Sequence, residues 1–334
     1  MPRGLQAALC VTALVWAGSA SAVAEQAARG IAERFQAGVF EALMQGVFLL
    51  FLAVVGLRTL DWIATRGRYA GEIAPLPRRA GWATEWGVGA AVGWGLCLAT
   101  VLPLLLSGHL HGRLMWQRGS ALAIVLALGT LLCVTLAEEI FFRGYAYRRL
   151  SAAMGESWAA VSMSIVFAAS LLFANRPQNS TMALIDGMLF GLLLTMAYLR
   201  THALWVGWGM HFAYRAVAAV LLGLPIAGHG EFGSIVDVFA SGPRWLSGGA
   251  FGLDAAFFTA VVMCAGMAVL FRVTRDYAWE YTHPPIVAGG YEVVVAPPPA
   301  HVAMERAAVA APPPLVQILP TTSQSGSVTK TPVE

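Results

Sequence analysis

Apolar residues run along this chain in blocks of about 20, the length that carries an α-helix across a hydrocarbon core of roughly 30 Å. The blocks 37–57, 86–107, 120–141, 157–175, 181–199, 203–224 and 252–271 are each predicted to be a membrane helix. Ahead of them, MPRGLQAALCVTALVWAGSASA combines Arg3, a short apolar run and an Ala20-Ser21-Ala22 site. That pattern fits a signal peptide over residues 1–24, or a first membrane helix left uncut. Beyond about His283 the chain is rich in Pro, Ala and Ser and has no sustained apolar period. Residues 284–334 are therefore expected to form a disordered extension. The expected fold class is all-α, a polytopic membrane helix bundle of seven to eight transmembrane helices. Its parts would be N-terminal helices and loops over 25–119, a core over 120–224, and an outer loop with the last helix over 225–283.

Composition agrees with lipid as the solvent. Apolar residues make up 58% and charged residues 12% of the 334 positions, against roughly 45–50% and 25% for a soluble domain. A net charge of +3 with a single lysine, Lys330, gives no Lys/Arg-clustered footprint, so nucleic acid is excluded as a partner. Cys10, Cys97, Cys133 and Cys264 lie in apolar runs without CxxC spacing, and read as small buried hydrophobes rather than a zinc knuckle or disulfide framework. Arginine is unevenly shared among the loops. Arg58, Arg66, Arg68, Arg78 and Arg79 follow the first block and Arg143, Arg148 and Arg149 the third, whereas alternate loops hold few: Arg113 and Arg118, then Arg176, then Arg244. The positive-inside rule puts the arginine-rich loops and the C-terminal tail in the cytoplasm, in a bacterial inner membrane.

Ionisable residues within spans are costly and mark function or bundle-facing pairs. Here they are Glu138, Glu139, Asp186, His211 and Arg215, with Glu41 and Gln45 nearer the outer end of the first block. A helical rise of about 1.5 Å per residue places Glu138 about 10 Å, His211 about 12 Å, Arg215 about 18 Å and Asp186 about 20 Å from the inner face. Two layers are predicted: Glu138, Glu139 and His211 in one plane, with Asp186 and Arg215 paired beneath. Glu139 and Arg143 are four residues apart, so one helix face can hold them as an ion pair, leaving Glu138 free as a base. Gly207, His211 and Arg215 share a face at the same spacing, and the glycine would admit a neighbouring helix close to the imidazole.

The stretches EEIFFRG (Glu138–Gly144), LRTHALW (Leu199–Trp205) and GMHFAYR (Gly209–Arg215) resemble, in order, the motif blocks of the CPBP family of intramembrane endopeptidases, also called CAAX-protease or Abi-like proteins. The likeness spans roughly residues 120–220. It implies a helical membrane bundle that hydrolyses peptide bonds of membrane-anchored peptide or protein substrates within the lipid bilayer. By match, Glu138 would be the general base that activates water, Glu139 and Arg143 its supporting shell, and His211 a holder of the oxyanion or of a metal. Two positions depart from the family. Its FxxxH block aligns with FAASL, which ends in Leu171, and residues 145–201 contain no histidine; its HxxxN or HxxxD block reads His211 to Arg215.

These departures bear on cofactors. A zinc site takes three protein ligands as a rule, and Glu138 with His211 offers one imidazole where the family offers two. His202 stands about 13 Å from His211 along the helix axis, a poor replacement. The metal is left unassigned. The sequence supports a peptidase with a reduced site in which Glu138 is the base. Its alternatives are a catalytically inactive relative acting as a membrane binding or immunity/regulatory protein, and a small transporter lined by Asp186, Arg215 and Glu138.

Overall fold

The computed structural model describes residues 1–67, 74–77, 81–114, 120–174, 180–227 and 232–275. The expected disordered extension over 284–334 lies outside these residues, as do Arg68, Arg78, Arg79, Arg118 and Arg176. The apolar blocks form helices in chain order: α1 (Arg3–Phe35), α2 (Glu41–Thr65), α3 (Trp82–Leu106) and α4 (Ser120–Glu139). A π-helical segment (Ile140–Tyr147) carries α4 on into α5 (Arg148–Met154). Then follow α6 (Glu156–Ala174), α7 (Ser180–Thr201), α8 (Trp205–Ala216) with a π-helical extension (Val217–Leu221), the short α9 (Arg244–Ser247), and α10 (Phe257–Val273). Among the described residues, 6 helices are long and apolar enough to cross a membrane: α1, α2, α3, the α4–α5 unit, α6 and α7. The α10 helix is apolar but shorter.

Small residues bring the helices together. A Cβ built on Gly89, Gly93 or Gly209 would fall 2.1–2.2 Å from a backbone carbonyl of the facing helix, so α3 and α8 touch main chain to main chain. Lipid supplies no hydrophobic force between helices, and such close approach gains van der Waals contact instead. Gly187 and Gly191 of α7 lie against Ala168 and Ser164 of α6, which a would-be Cβ would meet at 3.0–3.1 Å. The α1 helix runs unbroken through Ala20-Ser21-Ala22 and lays Ala13, Ala20, Ala24, Ala28 and Ala32 inward. Trp16 of α1 donates from Nε1 to the Leu52 carbonyl of α2 at 3.1 Å.

Three features differ from the sequence expectation. The third block does not end near residue 141: helix continues to Met154, and every residue of Ile140–Tyr147 is buried. Arg143, Arg148 and Arg149 therefore stand on the helix and not in a loop. Arg149 pairs with Asp61 of α2 and reaches Gln6 of α1 at 3.2 Å, while the Tyr145 hydroxyl donates to Asp61 Oδ1 at 3.4 Å. Partners on neighbouring helices let charged residues extend the buried segment beyond the apolar run. Finally, a two-stranded antiparallel ribbon joins β1 (Leu110–Leu114) to β2 (Val236–Ala240), with Leu110 opposite Ala240. The loops after α3 and after α8, which the arginine count assigns to one side, thus pair with each other.

Gly93→Ala should lower thermal stability in detergent by about 1–3 kcal/mol, since main chain has to move to admit the methyl group. Gly95→Ala, on the same helix with nothing within 4 Å of its would-be Cβ, should be neutral or slightly stabilising.

Candidate active site

Helix α4 ends its regular turns at Glu139, and both glutamates face α8 across the bundle. Glu139 is fully buried, and its Oε1 lies 2.8 Å from Nδ1 of His211. Arg143, one turn on, donates from Nη1 to the same oxygen at 3.3 Å and from Nη2 to the Gly191 carbonyl of α7 at 3.1 Å. The guanidinium also lies over the Phe167 ring of α6, 4.5 Å from its centroid. The Nδ1–H donor of His211 on α8 and the Arg143 guanidinium, itself anchored on α7, hold Glu139 in place. Gly207 permits this: its would-be Cβ meets Glu139 Oε2 at 3.3 Å. The group that the neighbouring helix α4 brings over the glycine, beside the imidazole, is the Glu139 carboxylate.

His211 is enclosed by the edges of Phe167 and Phe190, with ring centroids 6.1 and 5.2 Å away. A carboxylate on Nδ1 fixes a hydrogen there, which leaves Nε2 of the neutral ring as an acceptor. That nitrogen lies 3.3 Å from Glu138 Oε2, yet neither atom has a hydrogen-bond partner. Glu138 is the accessible member of the cluster, its side chain 22% exposed, against 0% for that of His211. Its other oxygen, Oε1, accepts from Arg215 Nη1 at 3.1 Å.

That bond corrects the expected pairing of Arg215 with Asp186. Both Asp186 oxygens are buried without a hydrogen-bond partner, and the guanidinium goes to Glu138. The cause is side-chain direction. Cα–Cβ bonds tilt toward a helix N-terminus, so the long Arg215 side chain reaches back along α8 to the level of His211. Comparing Cα depths alone put its head about one turn too far along the axis.

Leu171, at the position of the family histidine, is half-buried and packs against Gly187 of α7. Phe167, one turn earlier, takes the place against His211 and Arg143. His202 is exposed in the turn before α8 with a left-handed φ of 49°, away from the cluster. No group of three His, Cys, Asp or Glu residues suited to a metal occurs among the described residues. With Glu139 committed to Nδ1 and two guanidiniums adjacent, Glu138 and His211 do not make up a zinc donor set. Sequence reasoning missed Tyr214 and Asp254. Asp254 lay in an apolar block and was the one signal available; its Oδ2 accepts from the Ala227 N–H at 3.0 Å.

Fold and cluster together define a polytopic helical membrane protein with a buried carboxylate–imidazole–guanidinium site. Residues 119–217, which contain all of that site, match the family described as Type II CAAX prenyl endopeptidase Rce1-like. The match is of this central segment alone, and it supports a likeness to the CPBP/CAAX protease family. No curated protein and no solved structure matches the chain.

A double-mutant cycle on Glu138 and Arg215 should show a stability coupling of about 0.5–3 kcal/mol. The cycle on Asp186 and Arg215 should come out near additive, and rescue of Arg215→Asp by Asp186→Arg would restore the discarded pairing.

Proposed function

We propose that the chain is an intramembrane endopeptidase of CAAX type acting on membrane-anchored peptides or proteins, with Glu138 as general base. The observation that carries this reading is the unbonded approach of Glu138 Oε2 to His211 Nε2 at 3.3 Å, while the other polar end of each group is held. Two acceptors facing each other call for a donor between or beside them. A water molecule fits, giving one O–H to each and keeping its oxygen lone pairs for a substrate carbonyl.

In the reaction, Glu138 takes a proton as the water oxygen bonds to the carbonyl carbon. Arg215, already on Glu138 Oε1, supplies positive charge toward the developing oxyanion, the task of a neutral side chain at that position in the family. Glu138 then passes its proton to the departing amide nitrogen as the C–N bond breaks, leaving a carboxylic acid and an amine. Glu139 and Arg143 are positioning residues: they set the tautomer and tilt of His211 and touch no reacting atom. Burial of the imidazole between Phe167 and Phe190 keeps bulk water from competing for Nε2.

A second reading has one observation in its favour. Leu171 removes the family histidine, and Arg215 occupies an oxygen of the base, as a binding protein without turnover would allow. Reconstituted wild type and Glu138→Gln, given membrane-anchored peptides and read by mass spectrometry, separate the two. Cleavage by wild type, reduced about 10²–10⁴-fold in the variant, is expected. Equal product from both would remove Glu138 from the role of base, and none from a folded wild type that retains peptide would replace the peptidase by the binding protein.

A further inference from the structure

The catalytic glutamates close the regular turns of α4, and the residues that follow, Ile140–Tyr147, are π-helical. A π turn takes in one residue more than an α turn, so its register decides where the side chains on either side of it point. IFFRGYAY has no proline, and nothing in its covalent structure bars the backbone from ordinary α turns. Its side chains, however, reach to different neighbours. Phe142 meets the Phe167 ring of α6 edge-on at 5.2 Å, and Arg143 donates to the Gly191 carbonyl of α7 at 3.1 Å. The Tyr145 hydroxyl donates instead to Asp61 Oδ1 of α2 at 3.4 Å. One turn further, Arg149 of α5 pairs with the same carboxylate and donates from Nη1 to Gln6 Oε1 of α1 at 3.2 Å. Its guanidinium lies over the Tyr145 ring, 4.9 Å from the centroid.

As an adhesive the Asp61 pair gains little. Asp61 is 2% exposed and the Arg149 side chain 19%, and desolvating such a pair costs about as much as its attraction returns. Apolar residues of similar volume would join α2 to α5 as firmly. What an apolar contact lacks is direction. A carboxylate that takes a phenol and a guanidinium fixes the rotation of Tyr145 and Arg149 about the helix axis, as Glu139 and the Gly191 carbonyl fix that of Arg143. The π-helical segment is thus tied near both ends, with the catalytic pair directly before it. The 3.3 Å approach of Glu138 Oε2 to His211 Nε2 depends on that rotation, because no hydrogen bond joins the two atoms.

We propose that Asp61, acting through Tyr145 and Arg149, is a positioning residue that sets the π register and with it the aim of Glu138 at His211. The kinetic consequence rests on the peptidase reading; the register does not.

The test compares full-length wild type with the apolar double variant Asp61→Leu/Arg149→Met and with Tyr145→Phe, each reconstituted with membrane-anchored peptides. The double variant should melt within about 3 °C of wild type. Its kcat should fall about 10–100-fold while KM changes less than about threefold, the signature of a displaced base. Tyr145→Phe should lose about 2–5-fold in kcat. Wild-type kcat in a stable double variant would overturn the proposal, and so would a kcat that falls only in step with the folded fraction, since the pair would then be a stabiliser. Should the double variant fail to fold, an unchanged kcat in Tyr145→Phe overturns it. The ring-nitrogen NMR resonances of His211, assigned with His211→Gln, give a readout without turnover. They should move in both variants. A wild type that cleaves nothing while these resonances move would remove the peptidase and keep the positioning role, and unmoved resonances in the folded variants would overturn that role.

Discussion

Everything at the centre of this bundle follows from the need to neutralise charge where water does not reach. Glu139 is fully buried, and it is tolerable there because an imidazole and a guanidinium converge on its Oε1 from α8 and from its own helix. Removing one partner from such a set leaves a bare ion in a low-dielectric interior, which costs more than the assembled set gains. The helices that supply the partners are accordingly fixed in register. Gly207 is small because Glu139 Oε2 lies over it, and Gly191 offers its carbonyl to Arg143 while packing on Ser164. Packing and electrostatics therefore impose the same geometry on α4, α7 and α8.

The two glutamates, adjacent in sequence, have different surroundings. Glu139 is enclosed and committed, whereas Glu138 keeps 22% of its side chain accessible and one oxygen without a partner. Neighbouring helical residues point about 100° apart, so one turn of α4 can present one carboxylate to the protein and the other to an opening. The π-helical segment begins directly after the pair. Such segments are frequent at functional sites, where an extra residue per turn re-aims the side chains around it.

Much of this was legible in the chain. The membrane helices were, because an apolar run long enough to span lipid has few other uses, and so were Glu138, Glu139 and His211, because ionisable residues in such runs are conspicuous. The partner of Arg215 was not. A depth comparison locates Cα atoms, while a long side chain carries its charge about one turn toward the helix N-terminus. The extent of the α4–α5 unit was hidden because Arg143 and Arg149 look like the edge of a span until Glu139 and Asp61 are seen beside them. Nor could the β1–β2 ribbon be read: LHGRL and VDVFA are five residues each, lie in separate loops, and are far apart in the chain.

The ribbon has a mechanical side. By joining the loop after α3 to the loop before α10, it ties together one end of the bundle. A bundle stapled at one end behaves like a peg: the legs can part only at the free end, and their separation grows with distance from the staple. The main-chain seam of α3 with α8 stiffens one leg, so any opening wide enough for an extended peptide would fall on the lines where α8 has no glycine contact.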